Sequence, residues 1–309
     1  MMKYLKLIRF QNLLMIALMQ CIIRYGFLKL QKVELALADW QFALLVLSTV
    51  FIAAGGYIIN DIMDQETDSI NRPNQVIVGR SISESMAYNL YFGFTIAGAL
   101  IGFYLSNLIY RDNFFGIFII TSLLLYIYAT SFKQIAVIGN ILVSLALALS
   151  VIIVGLFDII PATDQVNRFQ MMLWLELLFD YAVFAFLLNF IREIIKDLED
   201  INGDYNQGMR TLPIVLGVSR TAKVVAVITA IATVILLWYI NNHLMDSGLY
   251  IATIYALVFL VSPMIFAVVK VWTATTQKEF HLLSNVLKAI IFFGILFILI
   301  VNLNIKFNA

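Results

Sequence analysis

Long apolar stretches recur along the chain and are separated by short polar connections. A helix needs about 20 mostly apolar residues to cross the hydrocarbon core of a bilayer. Applied along the sequence, that length predicts an all-α integral membrane protein with about nine transmembrane helices. The predicted spans cover residues 10–28, 41–60, 87–107, 114–131, 135–157, 170–191, 222–241, 249–270 and 285–304.

Two connections, residues 61–86 and 192–221, are longer and more polar than the others. When the loops alternate across nine spans, both fall on the same side as the N-terminus. Of the 20 lysines and arginines, fourteen lie on that side and six on the other. Because cytoplasmic loops carry an excess of these residues, the bias predicts a multi-pass cell-membrane protein with its N-terminus and both polar connections in the cytoplasm.

The composition agrees with a membrane protein and excludes several classes of function. Hydrophobic residues make up 62% of the chain and charged residues 13%, whereas soluble domains are about half apolar and a quarter charged. A formal net charge of +1 gives no basic field for a nucleic-acid partner. The single cysteine, Cys21, excludes an internal disulfide, and His243 and His281 are too far apart in sequence to favour a histidine metal centre. Nothing in the sequence marks an obligate protein partner.

Each polar connection carries three aspartates at intervals of three and four residues. On a helix such positions share one face, where the carboxylates repel one another. Mg²⁺ would relieve that repulsion, because it prefers oxygen ligands and is usually shared between carboxylates and a substrate phosphate. Acidic helix ends that are simply solvated are the alternative, but two clusters of equal spacing on one side favour a metal. The predicted Mg²⁺ ligands are Asp61, Asp64, Asp68, Asp197, Asp200 and Asp204.

The two aspartate motifs resemble the signatures of the UbiA superfamily of membrane prenyltransferases. NDIMDQETDSINRP at 60–73 is similar to the first signature and KDLEDINGDYNQGMRTLP at 196–213 to the second. YATSFK at 128–133 resembles the tyrosine-to-lysine element of the family, although its spacing is looser. The similarity extends over essentially the whole chain and predicts a single UbiA-like domain, residues 1–309.

The resemblance implies a ring of nine helices around a central cavity, under a cytoplasmic cap made by the two motif-bearing connections. It also implies that an isoprenyl diphosphate lies with its head at the aspartates and its tail between helices. The implied diphosphate-binding residues are Asn60, Arg72, Tyr128, Lys133, Arg192 and Arg210. The implied catalytic residues are Asp64, Asp68, Lys133, Asp200 and Asp204. For the cations, the general excess of positive charge on the cytoplasmic side is the alternative explanation.

The strings GDYNQGMRTLPIVLG at 203–217 and FKQIAVIGNILVSL at 132–145 resemble the digeranylgeranylglyceryl phosphate synthase branch of the superfamily. That branch implies geranylgeranyl transfer to a lipid acceptor, geranylgeranylglyceryl phosphate. Prenylation of an aromatic acceptor of the 4-hydroxybenzoate or naphthoate type in quinone biosynthesis stays open.

A distant alternative is a membrane transporter, because Glu176 and Asp180 fall inside the sixth predicted span, where ionisable residues are often functional. Both residues could instead lie near the outer interface, where their cost is small. Chelation of Mg²⁺ separates the two functions, since it should abolish prenyl transfer but not ordinary transport.

Overall fold

The computed structural model describes residues 2–74 and 76–308, and these residues form a helical protein with short 3₁₀ and π-helical turns. Two isolated β-bridges are the only extended pairings in the described residues. The α-helices are α1 (Met2–Leu7), α2 (Phe10–Cys21), α3 (Asp39–Met63), α4 (Gln65–Asn71), α5 (Glu84–Leu108), α6 (Phe115–Thr130), α7 (Ile138–Val154), α8 (Arg168–Asn206), α9 (Leu212–Leu216), α10 (Val218–Tyr239), α11 (Tyr250–Ala256), α12 (Ser262–Thr273) and α13 (Gln277–Asn308).

Within the described residues, nine helical stretches are long and apolar enough to cross a membrane. The prediction of nine spans is therefore confirmed, and most predicted ends lie within a few residues of those in the structure. In chain order the spans are Phe10–Leu28, Asp39–Met63, Glu84–Leu108, Asp112–Thr130, Ile138–Ile159, Arg168–Asn206, Val218–Met245, Tyr250–Thr273 and Gln277–Phe307.

The sixth span is much longer than its predicted range of 170–191. It is a single helix of 39 residues, which at 1.5 Å per residue is about 58 Å long and roughly twice the hydrocarbon thickness of a bilayer. The helix continues because Ile191, Ile194, Ile195 and Leu198 keep one apolar face buried at helical spacing. The predicted start of the polar connection at residue 192 is therefore wrong, and the three aspartates of the second motif lie on α8.

The spans close into a ring. The second span packs against the third and fourth, the fifth against the sixth, and the seventh against the eighth. The ninth span contacts both the sixth and the first, and so joins the two ends of the chain. This closure brings the ends of the second and sixth spans together, which places both aspartate motifs at one end of the ring.

Two adjacent glycines in α3 permit the close packing beside the first motif. A Cβ added at Gly55 would lie 2.5 Å from Oγ1 of Thr95 on the third span. A Cβ added at Gly56 would lie 2.8 Å from Cδ1 of Leu125 on the fourth span. Small residues therefore fix the position of the motif-bearing end of α3 against its neighbours.

Candidate active site

The first aspartate motif is interrupted in its middle. Helix α3 ends at Met63 and α4 begins at Gln65, with Asp64 between them. Asp61 accepts a hydrogen bond from Nη2 of Arg9 at 2.9 Å. The prediction that the three aspartates share the face of one continuous helix is therefore wrong at Asp64, where the break between the helices lets successive carboxylates take different partners.

Asp64 is the most enclosed carboxylate of the first motif and is 5% exposed. It accepts hydrogen bonds from Nδ2 of Asn60 at 2.6 Å and from Nζ of Lys133. Lys133 lies on the 3₁₀ turn Phe132–Gln134 that follows the fourth span. Burial acts to lower the pKa of Lys133, but the charge and hydrogen bond of Asp64, together with the charges of Tyr128 and Asp204, hold that pKa above its usual range. The lysine is therefore charged and fixed at the first motif.

A glycine sets the position of the Lys133 turn. A Cβ added at Gly139, near the start of α7, would lie 2.8 Å from the carbonyl oxygen of Phe132 and 2.9 Å from Cα of Lys133. Both neighbours are backbone atoms, which cannot rotate away as a side chain can. The turn therefore approaches α7 this closely only because residue 139 is glycine.

The second motif is bridged to the first by Arg72. Its Nη2 lies 2.8 Å and 2.9 Å from the two carboxylate oxygens of Asp200, and 3.1 Å from Oε1 of Glu199. Burial acts to lower the pKa of Arg72, but the charges of Asp200 and Glu199 raise it on balance. Nδ1 of His281, in the first turns of α13, lies 3.0 Å from the same Glu199 oxygen. The arginine is thus a charged link between the two half-sites.

Asn71 holds the backbones of the two motifs together. Its Nδ2 donates to the carbonyl oxygen of Asp200 at 2.9 Å, and its Oδ1 accepts from the backbone N–H of Gly203 at 2.8 Å. A Cβ at Gly203 would overlap Nδ2 of Asn71, so Asn71 can hold this position only with no side chain at residue 203. We call this pair of hydrogen bonds the Asn71 clasp.

The remaining aspartates complete a strongly anionic end of the ring. Asp197 accepts from Nδ2 of Asn140 at 2.9 Å. Burial, and then the charge of Asp64, raise the pKa of Asp68. Asp204 is 4% exposed and lies within electrostatic range of Lys133, Asp200 and Asp64. The structure therefore places all six predicted aspartates around one site.

The donor set is made of hard oxygen ligands, which suit Mg²⁺ better than softer ions. Among the described residues, no three His, Cys, Asp or Glu side chains are already close enough to hold an ion by themselves. Instead, several carboxylates are paired with cations: Asp61 with Arg9, Asp64 with Lys133, and Asp200 with Arg72.

Some of the predicted diphosphate-binding residues contact the motif aspartates directly, and the others do not. Asn60, Arg72 and Lys133 contact aspartates of the motifs, as described above. Tyr128 is partly buried at the end of the fourth span, within electrostatic range of Lys133. Arg192 pairs with Glu193 at 3.2 Å rather than with an aspartate. The Arg210 side chain is exposed and forms no ion pair with the residues that the structure describes, although its backbone N–H donates to the carbonyl of Gln134 at 2.8 Å.

The sequence profile of the UbiA prenyltransferase family matches residues 31–293 of the chain. The protein belongs to this family. Digeranylgeranylglyceryl phosphate synthase of Saccharolobus solfataricus is 33% identical over 234 residues, which cover 75% of each chain. The synthase of the same name from Methanosphaera stadtmanae is 34% identical over 247 residues, covering 77% of this chain and 80% of that one.

Solved structures agree with this family fold. A UbiA homolog from Archaeoglobus fulgidus, bound to GPP and Mg²⁺, superposes with a TM-score of 0.59 and covers 96% of this chain and 99% of its own. A UbiA homolog from Aeropyrum pernix K1 superposes with a TM-score of 0.64, covering 95% and 97%. Sequence identity to these two proteins is 16% and 14%. At that level the structural similarity establishes the fold of this chain and not its function.

Five residues of the UbiA site were not among the predicted site residues: Arg9, Asn71, Asn140, Glu199 and His281. Asn71 and Glu199 lie inside the quoted motifs, so the motif strings already pointed to them. Arg9 reaches Asp61 from 52 residues away, and His281 reaches Glu199 from 82 residues away. No local pattern marks those two, because their pairing depends on closure of the ring.

Glu176 lies far from this site. It is exposed beside an apolar groove of about 450 Å³ lined by Leu175 and Phe179. Because Glu176 and Asp197 are on the same straight run of α8, the rise per residue separates them by about 30 Å. That distance is about the thickness of the hydrocarbon core, so Glu176 lies towards the other end of the ring from the aspartate site.

Proposed function

We propose that this UbiA family member is a Mg²⁺-dependent transferase of an isoprenyl chain, in particular geranylgeranyl, from its diphosphate to the free hydroxyl of geranylgeranylglyceryl phosphate. The observation that carries the proposal is the pair of opposed aspartate motifs, joined by Arg72 and the Asn71 clasp. The similarity to digeranylgeranylglyceryl phosphate synthases supports the lipid acceptor. The whole chain, residues 1–309, acts as one domain in this proposal.

The six motif aspartates are the proposed metal ligands, with Asp64 and Asp200 at the centre of the two half-sites. Mg²⁺ is usually shared between one or two carboxylates and a substrate phosphate. One or two aspartates per ion would therefore suffice when the diphosphate is bound. When bound, Mg²⁺ supplies Lewis-acid stabilisation of the negative charge that grows on the leaving diphosphate.

The diphosphate is the proposed second binding partner of Lys133 and Arg72. With no ligand, each neutralises an aspartate. With metal and diphosphate bound, the aspartate carboxylates would hold the metal, and Lys133 and Arg72 would be released from them to donate to phosphate oxygens. An arginine fork and a lysine held in its charged form both suit phosphate, and both act where charge develops.

In the transfer step, the bond between C1 of the allylic chain and the diphosphate oxygen breaks. The acceptor hydroxyl oxygen forms a new bond to C1, its proton is released, and diphosphate leaves. The allylic cation that develops must be kept from water, and apolar and aromatic walls serve this purpose. Tyr128, partly buried beside Lys133, is a proposed part of that wall.

The motif end of the ring and the N-terminus face the cytoplasm in this proposal. The excess of lysine and arginine on that side of the nine spans supports the orientation. Both motifs and the Lys133 turn then form a cap on the cytoplasmic side.

The test uses the full chain in nanodiscs with Mg²⁺ and radiolabelled geranylgeranyl diphosphate. One sample receives geranylgeranylglyceryl phosphate and others receive a panel of hydroxylated aromatic acids. We expect a labelled diether lipid, lost on addition of EDTA and restored by excess Mg²⁺. Label on an aromatic ring would show that the acceptor assignment is wrong while the donor site is right. No transfer to any acceptor would refute the proposed function.

A further inference from the structure

The short N-terminal helix α1 packs against the connection between α4 and α5, which follows the first aspartate motif. Arg9, after the end of α1, has a left-handed backbone conformation with φ of 48°, so the chain turns before the first span begins. Leu7 is fully buried in one apolar cluster with Val78 and Ile82 of the connection. Helix α1 is therefore attached to this connection and does not simply extend the first span.

Two hydrogen bonds extend the attachment towards Arg72. Nζ of Lys3 donates to the carbonyl oxygen of Ser81 at 2.8 Å. Nη1 of the neighbouring Arg80 donates to the carbonyl oxygen of Pro73 at 2.6 Å, and Pro73 directly follows Arg72 in the chain. A force on α1 is thus passed through the connection to the residue that joins the two motifs.

Three exposed cations, Lys3, Lys6 and Arg80, lie on this surface, and we call them the N-terminal patch. Lys3 and Lys6 are three residues apart and share one face of α1. None of the three forms an ion pair with a residue that the structure describes. Glu84, the next carboxylate after Arg80 along the chain, borders a polar cleft together with Glu66. Even if Glu84 is counted, the patch carries a net positive charge.

Most hydrogen-bond donors of the N-terminal patch are unused. A lysine ammonium has three donors and an arginine guanidinium has five. The side chains of Lys3 and Arg80 each donate one hydrogen bond to a described residue, and the side chain of Lys6 donates none. The patch can therefore bind phosphate oxygens without losing either of the hydrogen bonds that attach α1 to the connection.

Exposed apolar side chains lie beside the two lysines of α1. Met2 and Leu5 are exposed and are also three residues apart, so they form a second stripe next to the lysines. Phe10, the first residue of the first span, is exposed as well, which places α1 at the level of the membrane surface. A helix with adjacent basic and apolar stripes at this level is suited to the bilayer interface.

We propose that the N-terminal patch binds the anionic headgroups of lipids in the leaflet on the motif side, and that this contact holds the connection after Arg72 in place. A lipid surface fits better than a soluble anion, because Met2 and Leu5 add apolar contact just below the headgroups. Each basic residue near an anionic membrane surface strengthens binding about fivefold. Three cations therefore give a preference of about 100-fold for an anionic over a neutral bilayer.

Hydrogen–deuterium exchange of the full chain in nanodiscs tests this contact without any substrate. The backbone N–H groups of Gly79, Ser81 and Ile82 donate hydrogen bonds within the turn that α1 covers, so their exchange measures its opening. Opening of the turn separates Arg80 from the lysines. We expect exchange to be about 10- to 100-fold slower in phosphatidylglycerol than in phosphatidylcholine nanodiscs.

Lys6→Gln is the variant of choice, because the Lys6 side chain contacts no described residue by hydrogen bond or ion pair and its loss leaves the fold intact. The difference in exchange between the two kinds of nanodisc should shrink about fivefold in Lys6→Gln, and further in Lys6→Glu. Arg220→Gln is the matched control, since Arg220 is an exposed cation at the same end of the ring, on the seventh span. It should keep the full difference.

An equal loss in Arg220→Gln would mean that exchange follows the total charge of this end, and would overturn the inference. Equal exchange in the two kinds of nanodisc would overturn it too. Slowing by inorganic phosphate in phosphatidylcholine nanodiscs would assign the patch to a soluble anion instead of a lipid surface.

Native mass spectrometry of the protein in detergent gives a second measurement, the number of phosphatidylglycerol molecules that stay bound. Retention should fall in Lys6→Glu and stay unchanged in Arg220→Glu, and equal retention in the two variants would contradict the proposal. Neither measurement uses a donor or an acceptor, so the result is independent of whether the chain transfers an isoprenyl group.

Discussion

The two ends of the helical ring both contain arginine–aspartate pairs, but the pairs differ in what encloses them. At the end away from the motifs, Arg24 donates to Asp158 and to the carbonyl oxygen of Leu37, and Asp158 accepts from the backbone N–H of Leu37 at 3.1 Å. The side chains of Arg24 and Asp158 are 1% and 0% exposed. This pair ties the first span, the fifth span and the connection between the first two spans.

At the motif end, the cations remain open to the surroundings. The side chains of Arg72 and Lys133 are 28% and 24% exposed, and each lies within electrostatic range of more than one carboxylate. A cation of this kind can change partners when a ligand arrives. An enclosed pair therefore holds the fold, whereas an open pair beside further carboxylates is suited to bind a charged substrate.

The largest effect expected at the motif end is on turnover. Asp64→Asn and Asp200→Asn each remove a proposed metal ligand while keeping the shape of the side chain. We expect each to lower kcat about 1000-fold or more, because stabilisation of the leaving diphosphate is lost. Radiolabelled product formation at saturating Mg²⁺ measures the loss.

Glu66→Gln is the matched control for both substitutions, since Glu66 is an exposed carboxylate between Asp64 and Asp68. It should retain turnover within about threefold. Full activity in either aspartate variant would show that the two half-sites do not act as a paired clamp at that position.

At the opposite end the largest effect should be on stability. Asp158→Ala leaves the buried Arg24 with only its 3.3 Å pair to the exposed Asp39, and breaking a buried pair in this way costs about 3–5 kcal/mol. We expect a lower unfolding temperature in nanodiscs, but near-normal turnover for each molecule that remains folded. The double variant with Arg24→Met and Asp158→Leu should recover most of the stability, because it removes both charges. A loss of turnover without a loss of stability would contradict the contrast between the two ends.

A smaller effect is expected where only the position of a cation changes. Gly139→Ala pushes its methyl group against the backbone at Phe132 and Lys133. We expect turnover to fall about 10- to 100-fold, since a displacement of about 1 Å in a catalytic group can cost that much. Gly294→Ala is the control, because an added Cβ there meets nothing within 4 Å. Equal activity in the two variants would mean that the Lys133 turn is not held by its contact with α7.

The features that the sequence predicted are local ones. Spans follow from runs of about 20 apolar residues, and the two motifs follow from spacing within 14 and 18 residues of continuous sequence. The length of the apolar run did not predict the end of α8. The polar residues that share this helix with Ile194 and Leu198 were interpreted as a connection. The break at Asp64 and the contacts of Arg9 and His281 depend on partners far away in the sequence. Periodicity carries no information about such partners, so these features could not be predicted without the structure of the closed ring.

The smallest effect is expected at Glu176, and it tests whether the opposite end has a function of its own. Glu176→Gln removes a charge from an exposed residue about 30 Å from Asp197 along α8. An ionisable group inside a membrane span is often part of a transport path, but here the separation is close to the hydrocarbon thickness, and we propose that the carboxylate lies at an interface. We expect prenyl transfer within about twofold of the unsubstituted protein and an unchanged unfolding temperature. Ion or proton flux in proteoliposomes that Glu176→Gln abolishes would instead assign transport to this end, because the aspartate site is too far away to respond to the substitution.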